Sequence, residues 1–422
     1  MVNLKSLLLK NTAYNLIGHI YLGLANLISI PLILKGLGTK QFSLLALIIT
    51  LVNFSSILNL GLNQATIRYL SLTTDKLETK NRYFQTSFFL SLGIAVTIFF
   101  LNLLLAPWLT SYLHLSISLF YLTISLVIIN FFTNFFNTLP QANNDFAFYN
   151  FKTLIVGTTN TFITAFLSLK LATLPPILTA RLVAQTLTLI LQTIYANKFS
   201  ITLKPHYHLT QARQLIAYSS KKFLGILSTR GTFYLPRLFI ATFLPIANLA
   251  LFTIPQGLIA NLQAILAQLT AALFPLSTNL VAQRQSHRLK KLILATQTLV
   301  FFSLVILIFL VFQFGETFLT FWLKKPTLAH QIAPILKILV LAYSLPSLSA
   351  IPATILDAFG KPEIPAQFAT LNLLLQLCFL PFFLLHYSLI GIPLAILTHN
   401  SIQVPLFLYR FNKEINFPSP DH

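Results

Sequence analysis

Carboxylates are scarce in this chain: eight Asp and Glu in 422 residues, against 28 Lys and Arg. There is one cysteine, Cys378, inside an apolar run, so an intramolecular disulfide or a thiolate metal centre is excluded. Charged residues make up only 9% of the chain, where a soluble domain carries about 25%. No Gly-rich phosphate loop, HExxH or GxSxG is present, which argues against ATP-driven transport by this chain alone and against zinc or serine hydrolysis. No cleavable leader is evident at the N-terminus, because the first apolar run is of spanning length and lacks a small-residue cleavage site.

What is present is hydrophobicity. Apolar residues make up 56% of the sequence, and the mean hydropathy is +0.78. At roughly 20 residues per membrane helix, the chain has room for about twelve spans. The runs fall near 12–34, 42–63, 84–106, 116–138, 153–172, 174–195, 223–244, 247–272, 292–313, 333–356, 364–385 and 387–409. The expected fold class is an all-α polytopic membrane protein with two six-helix lobes around a central cavity. Its expected divisions are 1–195 (first lobe), 196–222 (linker), 223–409 (second lobe) and 410–422 (tail).

A net charge of +20 would suggest nucleic acid in a soluble protein; in a membrane protein topology explains it, and no nucleic-acid partner is expected. With both termini in the cytoplasm, nineteen basic residues fall in inner connections and five, Lys35, Lys40, Lys170, Lys324 and Lys325, in outer ones. That asymmetry orients the chain in a cytoplasmic membrane. In this count Lys152 is a loop residue. Arg181, Arg230, Arg237 and Lys337 are left within spans; Lys337 is near a span end and is expected to snorkel.

The polar residues inside the spans form stripes. Asn15, His19 and Asn26 share a face of the first span. Asn130, Asn134, Asn137 and Gln141 do so on the fourth, and Arg181, Gln185, Thr188 and Gln192 on the sixth. Arg230, Tyr234 and Arg237 line one side of the seventh, and Gln256, Gln263 and Thr270 one side of the eighth. Offsets of four, seven and eleven return to the same helical face. Such stripes can hydrogen-bond helix to helix, or wall a hydrated cavity, since lipid offers them no partner. Five stripes, two of them bearing arginine and none bearing a deep carboxylate, favour a cationic cavity that takes an anionic ligand, with Arg181, Arg230 and Arg237 as its charged contacts. Arginine keeps its charge and forks onto phosphate or carboxylate.

The segment "NLIGHIYLGLANLISIPLILKGLGTKQFSLLALIITLVNFSSILNLGLNQATIRYLS", 15–71, resembles the amino-terminal signature of Wzx-type polysaccharide repeat-unit flippases. "NTLPQANNDFAFYNF", "LFPLSTNL" and "ILDAFGKPEI" fit the same pattern at later topological points. One departure is Asn59, where relatives often have an acidic residue. The resemblance implies a multidrug/toxin-extruder-like fold working by alternating access, and a transporter rather than an enzyme. It also implies an undecaprenyl-pyrophosphate-linked oligosaccharide as cargo, for O-antigen or another surface polysaccharide. Membrane lipid, a polysaccharide polymerase and chain-length machinery are the implied partners. No cofactor is expected, and coupling to H⁺ or Na⁺ is unassigned. A multidrug extruder of the same fold and a membrane glycan polymerase or ligase are the competing readings. The first would call for buried carboxylates, the second for a catalytic carboxylate or a large outer loop.

Overall fold

The computed structural model describes residues 4–73, 77–113, 116–283 and 285–414. Side chains at 4–17, 19, 105, 108–109, 112–113, 265–272 and 275 are not described. Thirteen helices are found among these residues: α1 (Leu4–Phe54), α2 (Leu62–Leu72), α3 (Leu77–Leu113), α4 (Ile117–Phe136), α5 (Thr138–Ala142), α6 (Phe146–Thr158) and α7 (Thr164–Leu171). They continue with α8 (Leu174–Lys198), α9 (Leu209–Phe243), α10 (Asn248–Ala282), α11 (Ser286–Leu323), α12 (Pro326–Ala358) and α13 (Glu363–Glu414). A 3-10 turn, Ser55–Asn59, joins α1 to α2, and a π-helical turn, Thr159–Ile163, joins α6 to α7.

Eight helical segments are long and apolar enough to cross a membrane, so this is a multi-pass membrane protein. Two of them contain a break. The backbone of α1 leaves helical geometry at Gly38 (φ 70°, ψ 173°), and that of α13 at Ser388 (φ 52°, ψ −134°). The first lies between two expected spans, 12–34 and 42–63, and the second at the start of the expected span 387–409. Glycine reaches positive φ without steric cost, so the first break is easily made; the serine at the second is more strained. Counting those halves separately, and adding α9 and α10, each expected span has a helical counterpart. The segment expected as a linker, 196–222, is non-helical only over 199–208, because α8 runs to Lys198 and α9 starts at Leu209.

Local chemistry sets several helix ends. The Ser116 hydroxyl accepts the Leu119 N–H at 3.4 Å to start α4, and the Asp145 carboxylate accepts the Phe148 N–H at 3.0 Å to start α6. Such caps take up backbone donors that the first turn leaves unpaired. Asn59 acts in a similar way, its Oδ1 accepting the Gly61 N–H at 2.9 Å and closing the turn ahead of α2.

The chain divides into two compact units, 1–234 and 235–422, with the boundary inside α9. In the first, Ile33, Ile48, Leu126, Phe131 and Ile177 belong to one buried cluster, and Phe84, Phe135, Leu139 and Leu215 to another. In the second, Leu289, Val300, Ile355, Ile364 and Phe407 pack together.

Candidate functional site

The first unit holds a partly open cavity of about 460 Å³ walled by α1, α4, α6, α8 and the π-helical turn. Its lining includes Asn26, Asn130, Asn134, Asn137, Asn160, Tyr149, Lys152 and Arg181, and no acidic residue. Two smaller recesses share its walls. One of about 290 Å³ includes Gln141 and Asn150; one of about 50 Å³ includes Asn53, Arg181 and Gln185.

Arg181 is 8% exposed and sits seven residues into α8. Its Nε donates to Thr164 Oγ1 at 3.3 Å and an Nη to the Asn160 carbonyl at 3.1 Å. That carbonyl lies in the π-helical turn, whose wider i→i+5 bonding re-aims backbone groups. Two of the five N–H donors of a guanidinium are thereby used, and no carboxylate pairs with it among the described residues.

Lys152 is the second cation of the cavity. It is 3% exposed, and its ammonium lies 4.5 Å from the centroid of the Tyr149 ring. No hydrogen bond or ion pair to Lys152 is found among the described residues. A cation–π contact recovers only part of the cost of desolvating a charge. The structure corrects the expectation that Lys152 is a loop residue: α6 begins at Phe146, so the lysine is on its second turn and faces the cavity.

The asparagine stripe of α4 faces the same space. Asn130 Nδ2 donates to the Val52 carbonyl at 3.1 Å, and Asn137 Oδ1 accepts from Gln192 Nε2, which also donates to the Thr133 carbonyl at 3.2 Å. Gln185 Oε1, at the small recess beside Arg181, is buried without a hydrogen-bond partner among the described residues.

The remaining expected residues do not line this cavity. Arg230 is exposed and donates to Ser56 Oγ at 2.9 Å. Tyr234 meets the Phe54 ring edge-on at 6.5 Å. In the second unit, Arg237 Nε donates to Gln256 Oε1 at 2.6 Å, Gln256 Nε2 donates to the Tyr343 hydroxyl at 2.9 Å, and Gln263 Nε2 donates to the Tyr343 carbonyl at 3.3 Å. The side chains of Asn15 and His19 lie outside the described residues.

The fold is that of membrane transporters of the MOP superfamily. It matches the lipid II flippase MurJ in an inward closed conformation with a TM-score of 0.76 at 15% identity, covering 94% of this chain and 87% of that one. A multidrug resistance MATE family transporter of the MOP superfamily, inward-facing, matches at 0.75 and 15% identity, covering 96% and 99%. Among curated proteins, a candidate O-antigen transporter of Shigella flexneri is 21% identical over 391 residues, 91% of this chain and 93% of that one. The family model for polysaccharide biosynthesis proteins matches residues 8–281, and the MatE model matches 237–382. The chain belongs to the polysaccharide biosynthesis protein family, and the relatives it matches are named as transporters and flippases.

Proposed function

We propose that this protein flips an undecaprenyl-pyrophosphate-linked oligosaccharide from the cytoplasmic to the outer leaflet of a bacterial inner membrane by alternating access, supplying a surface polysaccharide. The observation that carries this reading is the cavity of the first unit, where Lys152 and Arg181 stand among asparagines with no carboxylate in the lining. Buried cations without a counter-ion call for an anion, and amides that both donate and accept suit sugar hydroxyls. Family membership and the name of the Shigella flexneri relative support the same cargo.

In this reading Arg181, Arg230 and Arg237 each meet negative charge on the pyrophosphate or on acidic sugars, and the lipid tail stays in the bilayer. Both termini are cytoplasmic, an orientation supported by the bias of basic residues. A polymerase and chain-length proteins would take over the product. A proton or sodium gradient is the proposed energy source, with no residue assigned to it.

The MatE match over 237–382 favours a second reading, a multidrug extruder. A cavity with two cations would repel cationic drugs, so that reading ranks lower. A deletion strain separates the two. Flippase loss traps lipid-linked oligosaccharide on the inner leaflet with unchanged drug susceptibility; drug hypersensitivity with normal glycan export would overturn the proposal.

A further inference from the structure

The two cavity cations are differently occupied. Arg181 is anchored by Thr164 and Asn160, whereas Lys152 has only an aromatic ring. They are also well separated, since Lys152 lies eight residues before Asn160, whose carbonyl holds Arg181. At 1.5 Å per residue that is about 12 Å along the helix. One small anion therefore cannot bridge both, and the cavity is elongated. The α4 stripe Asn130, Asn134 and Asn137 provides polar wall along it.

From this arrangement we infer that the cavity of the first unit is a glycan subsite selective for a sugar bearing a carboxylate, with the carboxylate at Lys152. The inference rests on the export reading above and names the part of the cargo that this unit holds. The choice of sugar over phosphate follows from the polar inventory. A charged phosphate accepts hydrogen bonds and so would engage the amide N–H groups of the lining asparagines but not their carbonyl oxygens. Sugar hydroxyls both donate and accept. A volume of about 460 Å³ also lies within the range of small-ligand pockets, so it takes part of an oligosaccharide and not the whole lipid-linked molecule. No carboxylate among the described residues compensates the Lys152 ammonium, a cost to stability that a binding site can carry.

The test uses the full-length protein in nanodiscs, titrated calorimetrically with sodium glucuronate, glucose and inorganic pyrophosphate. Glucuronate should bind about tenfold or more tightly than glucose. Lys152→Met should remove that preference, and Lys152→Arg should largely keep it. Removing a buried unpaired charge should also raise the thermal unfolding midpoint of ligand-free Lys152→Met. Equal binding of the two sugars, binding of neither, an unaltered preference in Lys152→Met, or displacement of glucuronate by pyrophosphate would each overturn the assignment. So would a lowered midpoint, which marks Lys152 as a structural partner. These outcomes are independent of the deletion phenotype: normal flippase behaviour with no glucuronate preference sinks this inference alone.

Discussion

The two units use similar polar residues in opposite ways. In the first, a guanidinium, an ammonium and a row of asparagines line open space, and Gln185 Oε1 has no partner among the described residues. In the second, Arg237, Gln256, Gln263 and Tyr343 bond to one another between α9, α10 and α12. A stripe of amides on a membrane helix thus has two fates. Where neighbouring helices stand apart it walls a cavity; where they close up it joins them. The helix face alone does not decide between these, because the spacing of the neighbours is a tertiary property.

The strongest way to break this contrast is at its two arginines. Arg181→Ala should abolish glycan export while the protein still inserts, as followed by immunoblot of membranes and by surface-polysaccharide staining. If Arg181→Ala exports normally, the cavity of the first unit is not the working site. Arg237→Ala is also expected to abolish export, and Arg237→Lys to impair it partly, because an ammonium lacks the planar fork.

Steric probes should have a smaller, purely structural effect in each unit. A Cβ at Gly36 would come within 2.3 Å of the Ser168 carbonyl oxygen, and one at Gly391 within 2.0 Å of the Phe383 carbonyl oxygen. Both neighbours are backbone and cannot swing aside. Gly36→Ala and Gly391→Ala should each destabilise by about 1–3 kcal/mol, read as a lowered thermal unfolding midpoint in detergent. Unchanged midpoints would mean that the helices separate freely at these contacts.

The smallest effect sharpens the idea that the amide part of the second unit's stripe, Gln256 and Gln263 on Tyr343, serves as glue. Tyr343→Phe removes the hydroxyl that accepts from Gln256, at an expected cost of about 0.6–1.5 kcal/mol. Export should persist near the wild-type rate. A large loss of export from this variant would place the relay in transport instead of packing.

Much of the helical plan is legible in the sequence. The break at Gly38 falls between two hydropathy runs and that at Ser388 at the very start of the last one, and the α4 stripe shares one face as its spacing requires, since periodicity is a local property. Arg181 is recognisable as a deep cation for the same reason. Lys152 is not, because a lysine near the start of a span looks like an interfacial residue. Only the packing of α6 against α1 and α8 buries it. The one local signal is the aromatic three positions earlier, Tyr149, which shares its helical face. The distribution of Arg181 and Arg237 between separate polar groupings is equally invisible, because spacing along a helix says nothing about which helices pack around it.

The wide turn at Thr159–Ile163 decides where the first unit is sensitive to chain length. It adds about one residue to an otherwise regular α6–α7 rod. Because that turn absorbs the extra residue, deleting a residue from the regular turns between Lys152 and Thr159 with the wide turn kept would rotate the start of α6 by about 100° against Thr164–Leu171. Lys152 would then turn out of the chamber while Thr164 kept its place beside Arg181. The residue count ahead of the turn sets the angular phasing of two cations on different helices, and a one-codon deletion should undo it without altering either residue.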